Sequence, residues 1–397
     1  MNCFDSIREE LLLRLEGRGE LKDEEILEEI DDLVPVKGRE YLLTLREKEE
    51  LRKMLFYSVR KLDILQELVE DDSITEIMVN GYRDIFIERE GCLTRWAKSF
   101  SSEDRLRDVI QQIAGKCNRV VNEQRPIADA RLEDGSRVNI VMPPVALEGP
   151  VLTIRKFPRE AITMDRLVGL GSLSAQAADF LKELVEAGYT ILVGGGTSTG
   201  KTTFLNALSN YIPSEERVVT IEDNAELQIQ GIANLVRLEA KSANLEDSYE
   251  ISIRDLIKTA LRMRPSRIII GEVRSAEAED FLACLNTGHS GSLGSAHANS
   301  VRDMIGRLEM MVRMGIDLPV PVIRRQIASG VEILVHLTRD RTGRRMVEEI
   351  AEITGMAGEE VQIHTLYGRD ERDQLVCREP LQLREKLEKH LGGRGQL

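Results

Sequence analysis

The stretch that decides the fold reads Gly195, Gly196, Thr197, Ser198, Thr199, Gly200, Lys201, Thr202, Thr203. It fits the pattern G-x-x-x-x-G-K-[ST] at every fixed position, and it lies between an apolar run at Thr190–Val193 and a helical pattern at Phe204–Leu208. A strand, a glycine-rich loop and a helix start in this order favour a phosphate-binding loop, because main-chain N–H groups and the positive end of the helix face the same anion. The sequence therefore predicts that Lys201 contacts the β- and γ-phosphates of a nucleotide and that the Thr202 hydroxyl ligates Mg²⁺.

The composition limits what else the chain can do. Its 397 residues are enough for two or three domains, and 42% of them are hydrophobic, which is typical of a globular protein. The formal net charge of −14 argues against a general nucleic-acid-binding surface, which needs clustered Lys and Arg. The five cysteines form no C-x-x-C pair, so we expect reduced thiols and neither a disulfide framework nor a zinc knuckle.

Hydrophobic periodicity divides the first half of the chain into two segments. Residues 1–60 are charged and carry apolar residues at helical spacing, which predicts a helical extension. Residues 61–157 combine alternating strand patterns, a hairpin signal at Asn80-Gly81 and one helical stretch. This second segment therefore predicts a small α+β domain with an antiparallel sheet.

The second half has a different pattern. Residues 158–174 contain Gly169 and Gly171 and are interpreted as a linker. Residues 175–365 alternate helical patterns with apolar strands, which is typical of a mostly parallel α/β sheet with helices on both faces. Beyond about residue 345 we expect shorter strands, and residues 366–397 predict a peripheral, charged tail that frays.

Two acidic clusters directly follow apolar strands of this α/β segment. Glu222 and Asp223 come after Val218–Ile221, and Glu272 comes after Ile268–Ile270 and Gly271. Ligands of open α/β sheets bind at the carboxyl ends of strands, where such carboxylates polarise water or hold Mg²⁺. Glu272 is the more specific candidate; a helix cap or a surface acid is the alternative for each of the three.

Two of the five histidines, His289 and His297, flank a stretch rich in glycine and serine. Small side chains let a strand approach a triphosphate closely, so we expect His297 to hydrogen-bond the γ-phosphate and report its loss. For His289 a ligand contact and a structural role remain equally open. Zinc ligation is not expected, because no further Cys or His has matching spacing.

Seven stretches, in this order along the chain, resemble the secretion and pilus-assembly motor ATPases, which power type II and type IV secretion and type IV pili. They read ITEIMVNG, RPIADARLEDGSRVNI, LTIRKF, GGTSTGKTT, TIEDNAEL, LRMRPSRIIIGEVR and NTGHSGSLGSAHANS. The resemblance covers roughly residues 60–365 and is strongest to the Flp (tight-adherence) pilus branch. It implies a RecA-like P-loop ATPase domain that binds ATP and Mg²⁺ and follows the smaller α+β domain.

The resemblance also implies roles for individual residues. Lys201, Thr202 and Thr203 would bind phosphate and Mg²⁺, Glu272 would be the catalytic glutamate, Glu222 and Asp223 would assist the metal or the water, and His297 would report the γ-phosphate. Members of this family form hexameric rings with the nucleotide between the two domains, and arginines from the small domain or a neighbouring subunit complete its site. The matching positions are Arg131, Arg137, Arg155 and Arg262. Which of these arginines neutralises the transferred phosphoryl group stays open against a surface ion pair for each.

The family also implies a partner and a location. Its members drive a polytopic inner-membrane protein, and no apolar run of this sequence approaches the length needed to cross a bilayer, so we expect a cytoplasmic, peripheral chain. Two departures stand out. Ser266 replaces the usual Asp after proline, and the tetracysteine insert of some type II secretion members is missing, which favours the pilus branch.

Two other functions remain as alternatives. A nucleic-acid translocase or helicase would need a basic, aromatic-bearing channel, whereas aromatic residues make up only 4% of this acidic chain. A scaffold that binds ATP without hydrolysing it would not need Glu272. Salt-sensitive stimulation by DNA would support the first, and tight ATP binding without phosphate release would support the second.

Overall fold

The computed structural model describes residues 3–19, 21–89, 91–157, 161–241 and 250–394. The chain divides into two compact units, Met1–Arg159 and Glu160–Leu397. Each unit contains hydrophobic cores of its own.

The first unit begins with three helices that pack on one another, α1 (Cys3–Leu15), α2 (Asp23–Glu40) and α3 (Leu45–Arg60). Leucines and isoleucines at helical spacing fill the space between them, and Leu11 and Ile30 are fully buried there. The charged residues of the same helices face water, as expected for amphipathic helices.

The rest of the first unit is a sheet with helices. Its elements are α4 (Gln66–Glu70), β1 (Ile74–Asn80), β2 (Asp84–Arg89), β3 (Cys92–Arg95), α5 (Glu103–Lys116), β4 (Ile127–Arg131), β5 (Arg137–Val141) and β6 (Val151–Arg155). The strands lie in the order β3-β2-β1-β6-β5-β4, and all neighbours are antiparallel. Because side chains alternate between the two faces, Ile77, Ile140 and Leu152 share one core with Ile110 of α5.

The second unit is built around a larger sheet. Its elements are α6 (Met164–Gly169), α7 (Ala175–Glu186), β7 (Ile191–Gly195), α8 (Lys201–Ser209), β8 (Arg217–Glu222), β9 (Asn234–Glu239), α9 (Ile253–Ala260), β10 (Arg267–Val273), α10 (Glu277–Leu285), β11 (Leu293–His297), α11 (Val301–Gly315), α12 (Val320–Gly330), β12 (Ile333–Arg339), β13 (Arg345–Ala357), β14 (Glu360–Arg369), β15 (Leu375–Cys377) and α13 (Glu385–Arg394).

The strands of this sheet lie in the order β15-β14-β13-β12-β7-β11-β10-β8-β9. Strands β12 to β9 in that order are parallel, and β12 to β15 are antiparallel. Alternate residues of β7 enter two different cores: Val193 packs with α6, α7, α8 and α13, and Leu192 packs with α9 to α12. Helices therefore cover both faces, and the predicted α/β class is confirmed.

The segment interpreted as a linker contains a packed helix. Met164 and Leu167 of α6 are buried in the core that α7 and α8 share. Gly171, with φ of +74°, ends this helix in the left-handed conformation that glycine tolerates. The linker interpretation is therefore wrong for residues 161–174, and residues 158–160 lie outside the described part of the chain.

The C-terminal segment belongs to the core of the second unit. Strands β13 and β14 have 13 and 10 residues, and are longer than the five-residue β7. Leu366, Leu375 and Leu387 are buried in the same core as α7 and α8. The expectation of shorter strands is therefore wrong for β13 and β14, although β15 has only three residues. The expectation of a peripheral tail at 366–397 is wrong for the described residues, which end at 394.

Candidate functional site

The loop between β7 and α8 is shaped by contacts that admit only particular residues. A Cβ on Gly195 would lie 2.5 Å from Thr199 Oγ1 and 2.7 Å from the carbonyl oxygen of Leu337, so no side chain fits there. Ser198 and Gly200 have φ of +56° and +89°, which turn the chain back toward the start of α8. The Thr199 hydroxyl closes the loop by donating to the carbonyl of Gly196 at 3.0 Å.

Lys201 is the first residue of α8, and its ammonium group lies inside this loop. Its side chain is only 8% exposed, and Nζ donates to the carbonyl of Gly196 at 2.9 Å. Nζ also lies 3.3 Å from His297 Nδ1 and 3.7 Å from Glu272 Oε1. The predicted phosphate-binding lysine, the predicted catalytic acid and the predicted sensor histidine therefore share one site.

His297 connects the other two residues. It ends β11, which pairs with β7 so that His297 lies opposite Gly195. Its Nε2 is 2.7 Å from Glu272 Oε1. Burial and the nearby Lys201 charge lower the pKa of His297, which favours a neutral ring at neutral pH. The neutral ring then accepts from Lys201 through Nδ1, while its Nε2 lies beside Glu272 Oε1, an oxygen without a hydrogen-bond partner among the described residues.

Glu222 is more deeply buried than Glu272. It is 1% exposed at the end of β8, and Oε2 accepts hydrogen bonds from the N–H groups of Glu226 and Leu227 at 2.6 and 2.9 Å. Burial raises the pKa of Glu222, although these two hydrogen bonds act against the shift. Its Oε1 has no hydrogen-bond partner among the described residues. Glu222 thus holds the segment after β8 and leaves one buried oxygen unused.

Asp223, the predicted metal ligand, is half exposed beside this acid. Its Oδ2 accepts from Arg274 Nη1 at 3.1 Å. Within the described residues, no three His, Cys, Asp or Glu side chains converge on a point suited to a metal ion. A Mg²⁺ ion with one or two carboxylates, a hydroxyl and phosphate oxygens needs no such cage. The hydroxyl of Thr202, Asp223 and the unused oxygen of Glu222 fit that donor set.

Two predicted residues lie elsewhere in the second unit. Arg262 precedes β10 and His289 precedes β11, whereas the phosphate loop follows β7. Because these strands are parallel, Arg262 and His289 lie at the amino-terminal ends of the strands, and the phosphate loop lies at the carboxyl-terminal ends. His289 Nδ1 is instead 3.3 Å from the carbonyl of Cys284. The second unit therefore does not bring either residue to its own loop, and their predicted contacts with a nucleotide stay predictions.

The predicted arginines of the first unit form a row. Arg131 pairs with Arg137 across β4 and β5, and Arg137 pairs with Arg155 across β5 and β6. Directly opposed residues of antiparallel strands lie on the same face, so three guanidinium-bearing side chains follow one another across the sheet.

Sequence reasoning missed three residues near the loop. Arg274 contacts both Glu272 and Asp223. Arg345 donates through Nε to the carbonyl of Ser198 at 3.0 Å. His336, buried in β12, hydrogen-bonds the backbone of Ala298 beside His297. The spacing of Arg274, two residues after Glu272 and so on the same side of an extended chain, was a usable signal; Arg345 and His336 carry none.

Together, the glycine loop, its buried lysine and the acids at the ends of β8 and β10 define a P-loop nucleoside triphosphatase. The sequence profile of a family described as "Type II/IV secretion system protein" matches residues 59–379. The chain belongs to this family, so it is a motor ATPase of the secretion and pilus-assembly class, and the resemblance inferred from its motifs is confirmed at that level.

Individual relatives agree with the family. A "putative conjugal transfer protein" of Mycobacterium tuberculosis is 36% identical over 77% of this chain and 88% of its own length. The "type IV secretion system protein PtlH" of Bordetella pertussis is 34% identical over 74% of this chain and 93% of its own length. The crystal structure of the "pilus retraction motor PilT" with bound ADP covers 84% of this chain and 88% of its own, with a TM-score of 0.54 and 19% identity. This last likeness supports the RecA-like fold alone.

Throughout the part of the chain that the structure describes, no helix combines the length and the apolar character that a membrane span requires.

Proposed function

We propose that this protein binds ATP with Mg²⁺ and hydrolyses it to drive pilus assembly or protein secretion. The observation that carries the proposal is the cluster of Lys201, His297 and Glu272, which joins the phosphate loop to an acid at 3.7 Å or less. Such a cluster supplies both parts of the chemistry: a cation for the phosphates, and a carboxylate near the bond that breaks.

Each residue of the site has its own role in the proposed reaction. The loop N–H groups and Lys201 hold the triphosphate and neutralise its charge. Glu272 orients the attacking water and accepts its proton. His297, between Lys201 and Glu272, passes a change at the γ-phosphate to the carboxylate. Thr202, Asp223 and Glu222 would hold Mg²⁺, which supplies positive charge to the phosphate oxygens.

The arginine row of the first unit fits a further role in the same reaction. Arg131, Arg137 and Arg155 concentrate positive charge on one face of the small sheet. On the family resemblance, we keep these three arginines as the candidates for neutralising charge that develops on the transferred phosphoryl group. Arg262 and His289, at the amino-terminal ends of the strands, would contact the nucleotide of a neighbouring subunit.

The proposal extends to assembly and location. The family resemblance supports a homo-hexameric ring, in which Arg262 would be free to contact the nucleotide of a neighbouring subunit. We place the ring in the cytoplasm beneath a polytopic inner-membrane protein, and we keep the Flp pilus branch as the finer assignment, on the motifs that resemble it. The helices of residues 3–60 lie almost entirely outside the family match at 59–379, so we assign them to a separate extension.

Purified protein tests the reaction directly. We expect Lys201→Ala to weaken ATP binding at least about tenfold, because it removes a charged hydrogen-bond donor from the phosphates. We expect Glu272→Gln to retain ATP binding and to lose turnover by about a hundredfold or more, because the amide cannot accept the proton. Calorimetry with MgATP and a phosphate-release assay separate the two effects.

Matched controls are the exposed Lys389→Ala and Glu371→Gln in the same unit, for which we expect wild-type values. Full turnover in Glu272→Gln would reject the assigned acid. ATP binding without phosphate release by the wild type would favour the scaffold, and a rate raised by DNA at low salt would favour a translocase.

A further inference from the structure

We propose that Arg274 is a positioning residue that fixes the orientation of the Glu272 carboxylate for ATP hydrolysis. This inference rests on the proposed function, because it assigns the residue a part in that reaction. The observations behind it are the contacts on the two carboxylate oxygens, the anchoring of Arg274 itself, and the competition for Glu272 between Arg274 and Lys201.

The two oxygens of Glu272 have different partners. Arg274 donates to Oε2 through Nε at 2.8 Å and approaches it with Nη2 at 2.6 Å. Oε1 faces the other way, 2.7 Å from His297 Nε2 and 3.7 Å from Lys201 Nζ. A guanidinium group that grips one oxygen through two nitrogens prevents rotation of the carboxylate. Oε1 is therefore presented on the side of the phosphate loop.

Arg274 also joins the two acidic strand ends. Its Nη1 donates to Asp223 Oδ2 at 3.1 Å, so one guanidinium links Asp223, just after β8, to Glu272 near the end of β10. The side chains of Arg274 and Asp223 are about half exposed, and Glu272 is 17% exposed. The planar guanidinium group therefore fixes the Glu272 carboxylate relative to Asp223 at the end of the neighbouring strand.

The backbone of Arg274 is anchored in turn. Glu277, buried at the start of α10, accepts hydrogen bonds from the N–H groups of Arg274 and Ser275 at 2.6 and 2.9 Å and from the Ser275 hydroxyl at 2.6 Å. Burial by itself raises the pKa of Glu277, but these hydrogen bonds outweigh it, so the pKa is lowered and the carboxylate stays ionised. The guanidinium thus projects from a fixed point.

Removal of Arg274 would change which cation Glu272 contacts. Lys201 lies 3.7 Å from Oε1, and in the absence of Arg274 it is the cation beside the carboxylate. A carboxylate free to rotate would pair more closely with Lys201, which the phosphates need, and would leave the water badly oriented. Arg274 therefore keeps the Glu272 carboxylate oriented toward the water, and Lys201 stays available to bind the nucleotide.

A simple surface ion pair is the competing explanation, and the two make different predictions. An exposed ion pair contributes little to stability and nothing to turnover. A positioning residue contributes to turnover through the orientation of another group, and the size of the effect is about tenfold to a hundredfold. We therefore expect Arg274→Ala to lower kcat by about tenfold or more, with KM for ATP and the affinity for MgADP changed less than about threefold.

The rescue experiment is specific to the guanidinium group. Free guanidinium ion added to Arg274→Ala should restore part of kcat, since it can occupy the space beside Oε2. Arg274→Lys should recover less, because an ammonium ion cannot form the two-nitrogen contact with that oxygen. The matched control is Arg313→Ala, an exposed arginine of α11 for which the structure shows no ion pair among the described residues; it should behave as wild type with and without guanidinium.

A crystal structure of Arg274→Ala provides a readout that does not depend on activity. We expect the Glu272 carboxylate to rotate or to move toward Lys201. An unchanged Glu272, or a variant with full kcat, would overturn the inference. A loss confined to MgADP affinity would also overturn it, because Arg274 would then be a binding residue. If wild-type protein does not hydrolyse ATP, the proposed function fails, and the crystal structure still tests whether Arg274 orients Glu272.

Discussion

His336 is buried in β12, where it lies opposite Gly194 of β7 and hydrogen-bonds the backbone of Ala298. Burial lowers its pKa below the usual 6.5. The unfolded chain therefore takes up a proton at this position before the folded chain does, and stability must fall as the pH drops below about 6.5. The ring lies in β12, the strand beside the one that leads into the phosphate loop, and its place there cannot be recognised from the local sequence.

The pH dependence of His336 can be measured by chemical denaturation. We expect wild-type protein to lose more free energy of unfolding between pH 7.5 and pH 5 than His336→Gln does, because glutamine takes up no proton. The comparison between the two curves cancels groups that titrate in both proteins. Parallel curves would show that His336 is protonated equally in the folded and unfolded chains.

At the same scale, the local part of the site could be predicted and its distant part could not. Gly195 and Gly200 are needed for contacts and backbone angles within the loop itself, so the loop pattern carries them. Arg345 reaches Ser198 from the start of β13, 147 residues further along the chain. Nothing in the local sequence distinguishes this arginine from others, because its role depends on strand order.

Among the elements, the segment that joins β15 to α13 shows most clearly how a charged stretch becomes part of a core. Glu352 of β13 is 1% exposed and accepts from the N–H groups of Gln382 and Leu383 at 2.8 and 2.7 Å. Tyr189, just before β7, donates to the carbonyl of Leu383 at 2.6 Å. Beyond the segment, Lys386 Nζ of α13 lies 2.6 Å from the carboxylate of Glu332, just before β12. The segment is therefore fixed to the amino ends of the central strands.

Glu352→Ala should destabilise the second unit by about 1–3 kcal/mol, because it leaves two buried N–H groups without an acceptor. Urea denaturation measures the loss. The exposed Glu371→Ala in the turn before β15 is the control and should change stability by less than about 0.5 kcal/mol. A loss that is equal in the two variants would mean that the segment contributes nothing to the fold.

These elements also show where sequence patterns are reliable. β7 and the first half of β10 are buried on both faces, so their continuous apolar runs predicted central strands. Helix α6 has only six residues and ends beside Gly171, which made it resemble a linker. Strand β13 is buried on both faces, with Ile350 in one core and Ile353 in the other, yet the charged residues along it led us to expect shorter strands there and a tail from residue 366.

At the scale of the whole molecule, the family match at 59–379 leaves most of the α1–α3 bundle outside it. The bundle and the small sheet form the first unit, and the phosphate loop lies in the second. A ligand of the loop therefore binds residues whose core is separate from that of Ile110 and Leu152. The two cores give the chain more than one way to unfold.

We therefore expect calorimetry to resolve two thermal transitions that respond to different changes. MgADP at a hundredfold excess over its dissociation constant should stabilise one of them by about 2.7 kcal/mol, because it binds only the folded second unit. Ile110→Ala, a large-to-small change in the core of the first unit, should lower the free energy of unfolding of the other transition by about 2–5 kcal/mol. The Lys201→Ala variant is the control, in which MgADP should lose most of its effect. A single transition that moves with both changes would show instead that the two units unfold together, and the boundary at 159 would then separate contacts without separating stability.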